Sequence, residues 1–536
     1  MIDPQQVLMH LNFGRVDGET DNRFEQCFIG TEMLRQVLLP QHSLVVGNKG
    51  SGKSAMCRLL VDDLLKVRPL LPKQYDEIFC VPTYGLQSEE HLPNVELREL
   101  SPETVDEFRY FWLLYIGLKL SSTLLQSEKM RVLIEKSNKE NVKKAHSTLK
   151  HLLVDVGLIE QKGFLARFDH ALHKFRQPKT RKNVFARDDR NSTADFKQRT
   201  GVSIIAMLEA IDTILRETNC LAWIMLDKLD LLYVDDIQKL RASIAGLIQL
   251  LVQYGNQFKN IQFKIFLRND IYRQLHIVNK SHLITYTTEM KWRGSLLLKL
   301  LVARAVVDPQ VHAYCEEVLK ESVDVTNVIV GSDEYVLKIF YTIFEPTMSP
   351  VKDLKSESTH QWILKRLIDG MGNSFPRELI HLGNRAVERQ RELNRMAGKH
   401  SATRLIGVQA LKEAFQSISQ YRCDTYLYSE FPHLAKHIDI FRGSDSAVFH
   451  REELYMLFEP LAPRGDEAIR AAFDIGLLQP LGTNVDSSRK FKVPLLYRPG
   501  LGISERKRKP YQSKSKSPTD KILADIAESM LEEEEA

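Results

Sequence analysis

The sequence predicts an α/β fold in which a parallel-sheet core with a helical insertion is followed by a helical lid and a small C-terminal module. Three observations predict it. Short apolar runs alternate with helix-like segments through the first 290 residues, as in sheets built from strand–helix–strand units. One of these runs leads directly into a glycine-rich loop, and helical spacing of apolar residues dominates after residue 291. The 536 residues are enough for about three domains.

The first part of the core, in residues 1–290, contains two strand candidates. Residues 28–39 have the apolar spacing of a helix, and residues 44–46 and 78–81 are short apolar runs. Between about 95 and 200, apolar residues recur at helical intervals with charges between them, which predicts the helical insertion. Its polar end, 176–200, is interpreted as an exposed loop that could contact phosphates or simply be solvated. The basic residues of that loop are Lys179, Arg181, Lys182 and Arg187.

Residues 47–54 read Gly47-Asn48-Lys49-Gly50-Ser51-Gly52-Lys53-Ser54. This is a complete Walker A sequence between a predicted strand and a predicted helix, the context that a phosphate-binding loop requires. The glycines let the backbone turn close to a ligand, and the amides at the helix start attract phosphate oxygens. We expect Lys53 to reach the β- and γ-phosphates and the Ser54 hydroxyl to ligate Mg²⁺. The sequence therefore predicts a P-loop NTPase core.

Two later strands are predicted to bring polar groups to the same edge of the sheet. After a helix at 202–216, the apolar run 221–226 ends in Asp227. A buried parallel strand of this kind delivers its last residue to the edge where α/β sheets place their ligands. We expect Asp227 to hold Mg²⁺, directly or through water, as in a Walker B motif. A further strand, 263–267, ends in Arg268, which could sense the γ-phosphate; a plain Asn-Asp turn is the alternative.

The lid, 291–402, is predicted to be helical, with an apolar helix at 296–304 and others between 332 and 395. One helix is expected to start near Ser374, a good N-cap, with a proline in its first turn. Arg377 then lies at a helix start, where a cation is unfavourable unless a phosphate or solvent compensates it.

Residues 403–505 have the layout of a winged helix. Helices are predicted at 406–420, 449–458 and 464–476, and two apolar segments then flank a Gly-Thr-Asn turn as the strands of a hairpin would. The same layout also serves for protein contacts, so DNA binding does not follow from it. The tail, 506–536, has a basic run followed by acids; we expect it to be disordered, and nucleic acid or an acidic partner could bind it.

Composition indicates an ordinary globular protein. Hydrophobic residues make up 43% and charged residues 27%, and the net charge of +5 is small for this length, so it gives little support for nucleic acid as a partner. The six cysteines are scattered without a zinc spacing, and no apolar run reaches membrane length. We therefore expect reduced thiols, a cytoplasmic location and no membrane. With no HExxH sequence, HNH-like cluster or useful carboxylate pair, no nuclease or protease chemistry is predicted.

The order of these motifs resembles that in the AAA+ and STAND groups of P-loop ATPases. In particular, it is the order found in initiator-type and NACHT-like proteins. More closely, the chain resembles a group of bacterial stand-alone P-loop ATPases that are sometimes encoded among phage-defence genes. The residues that carry the resemblance are Phe13, Gly14, Glu19, Asp21, Phe28, the loop 47–55, Leu226–Asp230, Phe266–Ile271, Trp292 and Pro376–Ile380. The resemblance covers most of the chain outside the insertion and the tail, and its phosphate loop is more specific than the other motifs.

The resemblance implies a role for each residue at the site. It assigns Lys53 and Ser54 to phosphate and Mg²⁺, and it assigns Asp227 to Mg²⁺. Arg268 takes the sensor-1 role of the family and Arg377 the sensor-2 role. ATP and Mg²⁺ are the implied ligands.

One position departs from the family pattern. Many AAA+ proteins have a glutamate directly after the Walker B aspartate, as the base that orients the attacking water, but here Lys228 stands in that place. Asp230 is the only nearby carboxylate in the same loop, and NACHT-like proteins use acids there. We therefore expect Asp230 to act beside Lys53, Asp227 and Arg268 in slow hydrolysis, which suits a switch better than a motor.

The leading hypothesis is an ATP-dependent switch with a separate effector, in antiphage defence if the association of its relatives applies. ATP is favoured over GTP because no NKxD motif appears where one is expected. The resemblance also places segment 13–21 near the base or ribose. It implies a homo-oligomer in which Arg273 or Arg304 completes a neighbour's site, or else acts within the lid. Two alternatives stay open: an initiator-like ATPase that holds DNA, and a nucleotide-binding scaffold without hydrolysis.

Overall fold

The computed structural model of the chain describes residues 2–16, 21, 23, 31–83, 102–155, 204–233, 236–255, 257–275, 277, 280–349 and 356–503. These residues form two compact units. The first takes the described residues of 1–367 and 373–415, and the second those of 368–372 and 416–503. The predicted domain borders at 290 and 402 stay predictions. The predicted features outside the described residues are the basic loop 176–200, the tail 506–536, Glu19, Cys27 and Phe28.

A five-stranded parallel sheet forms the centre of the first unit. Its strands are β1 (Leu44–Gly47), β2 (Glu77–Pro82), β3 (Cys220–Leu226), β4 (Ile261–Arg268) and β5 (Thr287–Glu289). They stand in the order β2-β3-β4-β1-β5, and every neighbouring pair is parallel. With its many helices, this unit has the α/β architecture that the sequence predicts. Four strands lie where they are predicted; β5 is only three residues long and carries no periodic signal.

Helices precede, connect and follow these strands. They are α1 (Pro4–His10), α2 (Glu32–Leu38), α3 (Lys53–Asp62), α4 (Leu64–Val67), α5 (Val105–Gln126), α6 (Glu128–Lys136), α7 (Glu140–Asp155), α8 (Ile204–Glu217), α9 (Ile237–Tyr254), α10 (Asn269–Gln274), α11 (Gly294–Val306), α12 (Pro309–Leu319), α13 (Val325–Val330), α14 (Asp333–Ile343), α15 (Thr359–Arg366) and α16 (Pro376–Ala397). Helix α17 (Val408–Arg422) begins in the first unit and ends in the second. The predicted helices at 202–216 and 296–304 correspond to α8 and α11.

The first helix of the predicted insertion is packed into the core. Helix α5 starts at a capping box in which Thr104 and Glu107 exchange side-chain and backbone hydrogen bonds. It lies so close to α9 that a Cβ added to Gly246 would be 2.7 Å from the backbone nitrogen of Arg109. Cys220, Ala222, Ile224 and Leu226 of β3 lie in the same core as α5. The other residues of β3 are also buried, which is typical of a parallel strand covered on both faces. The described part of the insertion is helical, as predicted.

The second unit contains a small antiparallel sheet and short helices. Its elements are α18 (Ala435–Asp439), β6 (Val448–His450), α19 (Arg451–Phe458), α20 (Gly465–Asp474), β7 (Gln479–Pro480) and β8 (Lys490–Lys492), with sheet order β6-β8-β7. The predicted hairpin is present as the β7–β8 pair. The prediction of a helix over 449–458 was wrong at its start, because Phe449 belongs to β6 and pairs with Phe491 of β8. Both phenylalanines are buried, and this burial outweighs the helical spacing.

The helix expected near Ser374 begins two residues later. Its first residue is Pro376, and Phe375 occupies the N-cap position without a side-chain hydrogen bond. Phe375 is buried, and burying a phenylalanine contributes about 1.5–3 kcal/mol, more than the roughly 1 kcal/mol of a serine cap. Packing therefore sets the start of α16.

Two expectations from composition concern membranes and thiols. Among the described residues, no helix combines the length and the apolar character needed to cross a membrane. The cysteines in the same part of the chain are free thiols, namely Cys57, Cys80, Cys220, Cys315 and Cys423.

Strand β4 carries a completely buried lysine. The Lys264 ammonium donates to the carbonyl oxygens of Val37 at 2.8 Å, Leu39 at 2.7 Å and His42 at 2.8 Å. These carbonyls belong to the end of α2 and the turn that leads into β1, so the lysine fixes the chain just before that strand. Burial lowers the pKa of Lys264 to about 7, although the nearby Cys80 thiol acts in the opposite direction.

Lys264 is predicted to make stability depend on pH. Its folded-state pKa, about 7, lies below the ordinary value of 10.5, so the folded protein binds fewer protons than the unfolded chain between these values. The contribution of Lys264 to the free energy of unfolding therefore rises as the pH increases from about 7 to about 10. In Lys264→Met this contribution is absent, so the stability difference between parent and variant should grow by up to about 1.4 kcal/mol per pH unit.

The measurement is urea unfolding of both proteins between about pH 7 and pH 9. The exposed Lys143→Met serves as the control for the substitution itself. A stability difference between parent and Lys264→Met that does not change with pH would contradict the prediction.

Candidate functional site

The register of the parallel strands brings three segments together at the carboxyl edge of the sheet. Gly47 at the end of β1 lies opposite Arg268 at the end of β4, and Leu226 at the end of β3 lies opposite Ile265. The loop 47–54, the residues that follow β3 and the end of β4 therefore surround one space. This space is a cavity of about 410 Å³, and its other walls come from α11, the start of α16 and the N-terminal segment.

The loop 47–54 takes its shape from two glycines and a tryptophan. Gly50 and Gly52 have φ values of 85° and 90°, in the left-handed region that favours glycine. The indole Nε1 of Trp292 donates to the carbonyl oxygen of Ser51 at 2.8 Å and so anchors the loop. The loop residues that line the cavity are Lys49, Gly50, Gly52, Lys53 and Ser54. The others, Gly47, Asn48 and Ser51, do not line the cavity. Their carbonyl oxygens accept hydrogen bonds from the side chains of Lys53 and Trp292.

Lys53 provides a buried cation at the cavity wall. Its Nζ donates to the carbonyl oxygens of Gly47 at 2.8 Å and Asn48 at 2.9 Å. Burial lowers the pKa of Lys53 to about 8, against the negative charges of Asp227 and Asp230, which raise it. The ammonium is therefore held by weak backbone acceptors that an anion could replace.

Asp227 is buried directly beside this lysine and Ser54. Burial raises the pKa of Asp227 above its ordinary value. Hydrogen bonds from the Ser54 hydroxyl and the Lys228 backbone, together with the charge of Lys53, act in the opposite direction but do not outweigh burial. Its second oxygen, Oδ2, has no hydrogen-bond partner among the described residues. An unsatisfied buried carboxylate oxygen is costly, so this atom is poised to accept a further ligand.

The residues around Asp227 fit a magnesium ion that shares its ligands with a phosphate compound. Among the described residues, no group of three or more His, Cys, Asp or Glu side chains could hold a metal. Mg²⁺ does not require such a cage, because it keeps several waters and binds through one or two protein groups plus phosphate oxygens. The hydroxyl of Ser54 and the free oxygen of Asp227 are groups of the required kind.

Arg268 is held by two carboxylates at the edge of the cavity. Its Nε and Nη2 donate to the two oxygens of Asp270 at 3.1 and 2.7 Å, and its Nη1 donates to Oδ2 of Asp230 at 3.3 Å. Asp230 reaches this position because Lys228 has a left-handed backbone, with φ 53°, and a 3₁₀ turn at Leu229–Leu231 follows. Burial alone raises the pKa of Asp270, but the hydrogen bonds and charge of Arg268 outweigh it and lower that pKa.

Arg377 enters the cavity from the opposite wall. It lies in the first turn of α16 and lines the cavity, and its Cβ is 3.7 Å from the position that a Cβ on Gly50 would take. Among the described residues, its guanidinium has no hydrogen-bond or ion-pair partner. A cation at a helix start is electrostatically unfavourable, so a bound anion would offset this repulsion.

Arg304 holds the N-terminal segment in place. It is buried, forms an ion pair with the buried Asp21 and donates to the carbonyl oxygen of Phe13 at 2.9 Å. Asn384 of α16 fixes the same segment by accepting from the Phe13 amide at 2.9 Å and donating to the carbonyl oxygen of Gly14, also at 2.9 Å. The next residues, 15–16, line the cavity. This geometry favours a role for Arg304 within its own chain over the alternative, in which Arg304 completes the site of a neighbouring copy.

The structure brings the predicted residues together at one cavity. Lys53, Ser54, Asp227, Asp230, Arg268 and Arg377 all line it. Sequence reasoning missed the anchoring by Trp292 and by Asn384, for which a single sequence carries no signal. It also missed the pairing of Arg268 with Asp270, although their spacing after a strand was visible. A search against protein-family models and a search of curated proteins found no match to the chain.

The structural role of Arg304 can be tested by its removal. Arg304→Met leaves the buried carboxylate of Asp21 without its ion-pair partner, and breaking a buried pair in this way costs about 3–5 kcal/mol of unfolding free energy. The exposed Arg273→Met, the other arginine considered for a neighbour's site, should change stability by less than about 0.5 kcal/mol. Chemical unfolding of the two variants is the measurement. A cost below about 1 kcal/mol for Arg304→Met would contradict the structural role.

Proposed function

We propose that the chain binds ATP with Mg²⁺ in this cavity and hydrolyses it slowly, as a nucleotide-dependent switch. One observation carries the proposal: the buried Lys53 lines a single cavity at the carboxyl edge of a parallel sheet together with Asp227 and Arg377. Within the described part of the chain, Oδ2 of Asp227 and the guanidinium of Arg377 have no partner. That edge is where α/β folds bind ligands, and opposite charges in this arrangement suit a polyphosphate with a divalent cation. The cavity volume, about 410 Å³, is within the range of about 300–1,000 Å³ for small-molecule sites.

Each group has a place in the proposed complex. The loop 47–54 would hold the phosphate chain through its backbone amides, and Lys53 would exchange loop carbonyls for phosphate oxygens. Ser54 and Asp227 would hold Mg²⁺ together with phosphate oxygens and water, and a bound Mg²⁺ would neutralise phosphate charge. Arg377 would contact the γ-phosphate from the wall formed by α16. With these roles the chain would be a P-loop ATPase of the AAA+ and STAND type, as the resemblance implies.

Part of the cavity lining is apolar and offers a surface for a base. The side chains of Val16, Leu300, Pro376 and Ile380 belong to this part. ATP stays the proposed nucleotide because the sequence has no NKxD motif where one is expected.

Hydrolysis would use Asp230 to orient the attacking water. The water oxygen forms a bond to the γ-phosphorus, the bond from that phosphorus to the β,γ-bridging oxygen breaks, and ADP leaves. The carboxylate of Asp230 accepts the proton of the water and passes it on to solvent or phosphate. Because Oδ2 of Asp230 accepts a hydrogen bond from Arg268, the arginine competes with the attacking water for that oxygen. Slow turnover follows from that competition.

We interpret the second unit as a winged helix, and its charges favour a protein partner over DNA. The chain order β6-α19-α20-β7-β8 and the sheet order β6-β8-β7 support this interpretation. Helix α20 would be the one that enters the DNA groove, but its first turn carries Asp466 and Glu467. Residues 416–503 contain eleven Asp or Glu and ten Lys or Arg, a balance that does not attract a phosphate backbone. Homo-oligomer formation, the effector and an antiphage role stay predictions from the resemblance.

The first test combines nucleotide binding with Mg²⁺-dependent ATP turnover. Lys53→Ala should weaken ATP binding at least about tenfold, because a charged hydrogen bond to phosphate is worth about 1.5–3 kcal/mol. Asp230→Ala should keep binding but lose turnover by about 10²–10⁴-fold, the usual effect of removing a general base. The exposed Lys143→Ala and Asp106→Ala are matched controls outside the cavity.

The possible results separate the alternatives. ATP binding that survives Lys53→Ala would refute the proposed phosphate site. Turnover that survives Asp230→Ala would remove Asp230 from the reaction. Tight binding without turnover in the parent protein would favour the non-hydrolysing scaffold.

The pH dependence of ADP binding tests the Lys53 contact separately. The Lys53 pKa is about 8 in the free protein, and a bound phosphate would raise it, so binding above pH 8 requires uptake of a proton. The affinity should therefore be independent of this group below pH 8 and fall by up to about tenfold per pH unit above it. Lys53→Arg keeps its charge throughout, so its affinity should show little of this fall. A parent affinity that stays constant from about pH 7 to pH 10 would contradict the contact.

A further inference from the structure

Two carboxylates in the described part of the chain, Asp270 and Asp230, hold Arg268 unequally. With Asp270 it forms a two-point contact, in which Nε and Nη2 meet both carboxylate oxygens at 3.1 and 2.7 Å. With Asp230 it forms one longer contact, from Nη1 at 3.3 Å. The two-point contact fixes the plane of the guanidinium as well as its position, whereas the single contact fixes neither.

Asp270 and Asp230 also differ in their position relative to the cavity. Asp270 follows β4 by two residues and does not line the cavity, whereas Asp230 and Arg268 do. Asp270 also accepts a hydrogen bond from the backbone of Ile271, which ties it to the start of α10. The hydrogen bonds and charge of Arg268 lower the pKa of Asp270 although burial raises it, so this carboxylate stays ionised at neutral pH.

We propose that Asp270 is a positioning residue that holds Arg268 with Nη1 directed into the cavity, where the γ-phosphate of a bound nucleotide replaces Asp230 as its acceptor. The inference rests on the proposed function and deepens it, because it names the group that senses the γ-phosphate and the group that is released by it. Asp270 touches no substrate; it acts through Arg268.

The exchange follows from charge and geometry. A γ-phosphate carries more negative charge than a carboxylate and accepts from arginine in the same way, so it competes for Nη1 against the single longer contact of Asp230. The two-point contact with Asp270 survives the exchange, so the guanidinium stays in place while one acceptor replaces another. Oδ2 of Asp230 is then released from Arg268, and free to orient water, when a γ-phosphate is bound. ADP lacks that phosphate and leaves Asp230 paired with Arg268.

A purely structural role for Asp270 has a different consequence. If Asp270 only stabilises the junction between β4 and α10, its removal lowers stability and weakens ATP and ADP binding to the same extent. If it positions Arg268 for the γ-phosphate, its removal affects the triphosphate alone. The ratio of the two affinities therefore separates the two roles.

The experiment measures the dissociation constants of ADP and of a non-hydrolysable ATP analogue, each with Mg²⁺, for the full chain and for Asp270→Asn. The variant should bind ADP within about twofold of the parent and the analogue about tenfold more weakly, the loss expected for one charged hydrogen bond. Turnover should fall by at least the same factor. Glu357→Gln removes a carboxylate that pairs with Lys365 and Arg366 outside the cavity, and it should leave both affinities unchanged.

A second variant covers the case in which Asp270→Asn does not fold. Arg268→Lys keeps the positive charge but lacks the planar fork that Asp270 holds, so it should lose the preference for the triphosphate in the same way. An unchanged affinity ratio in either folded variant would overturn the role of Asp270, even if turnover and stability fall. If the parent protein binds neither nucleotide, the proposed function itself fails and this inference fails with it.

Discussion

The parallel register between β1 and β4 is the constraint on which the rest of the site depends. It sets Gly47 opposite Arg268, so the loop that follows β1 faces the end of β4 across the edge of the sheet. The pairing of β3 with β4 then brings Asp227 to the same edge, on the side of β4 away from β1. A slip of one residue would turn every side chain of the slipped strand to the other face and separate these groups. The buried Lys264 stabilises this register, because it ties β4 to the chain segment that enters β1.

At this edge of the sheet, a few acidic side chains partly neutralise a larger number of basic ones. Asp227 and Asp230 reduce the cost of burying Lys53, and Asp270 and Asp230 hold Arg268. Among the described residues, Oδ2 of Asp227 and the guanidinium of Arg377 have no partner. The proposed magnesium nucleotide would give Asp227 a cation and Arg377 an anion. In the proposed mechanism, Arg268 exchanges Asp230 for the γ-phosphate, which releases Oδ2 of Asp230 for the attacking water.

The sequence predicted the parts of the site that are specified by motifs of consecutive residues. The loop 47–54 and the run that ends in Asp227 each contain their own apolar context, so their positions at strand ends follow from local pattern alone. The contacts that support them do not, because they join distant positions: Trp292 and Ser51 are 241 residues apart, and Arg304 and Asp21 are 283 apart. Elements such as β5 and β6 were missed because three residues carry no periodicity, and their strand character comes from the neighbour with which they pair.

The most direct test of the account is a crystal structure of the full chain with Mg²⁺ and a non-hydrolysable ATP analogue. The account predicts phosphate oxygens against the loop amides, with Lys53 Nζ moved from the carbonyl oxygens of Gly47 and Asn48 to the phosphates. It also predicts a metal beside Asp227 Oδ2 and Arg268 Nη1 on the γ-phosphate while its contact with Asp270 is retained. An analogue bound elsewhere, or a cavity in which Lys53 still donates to its own loop, would contradict it.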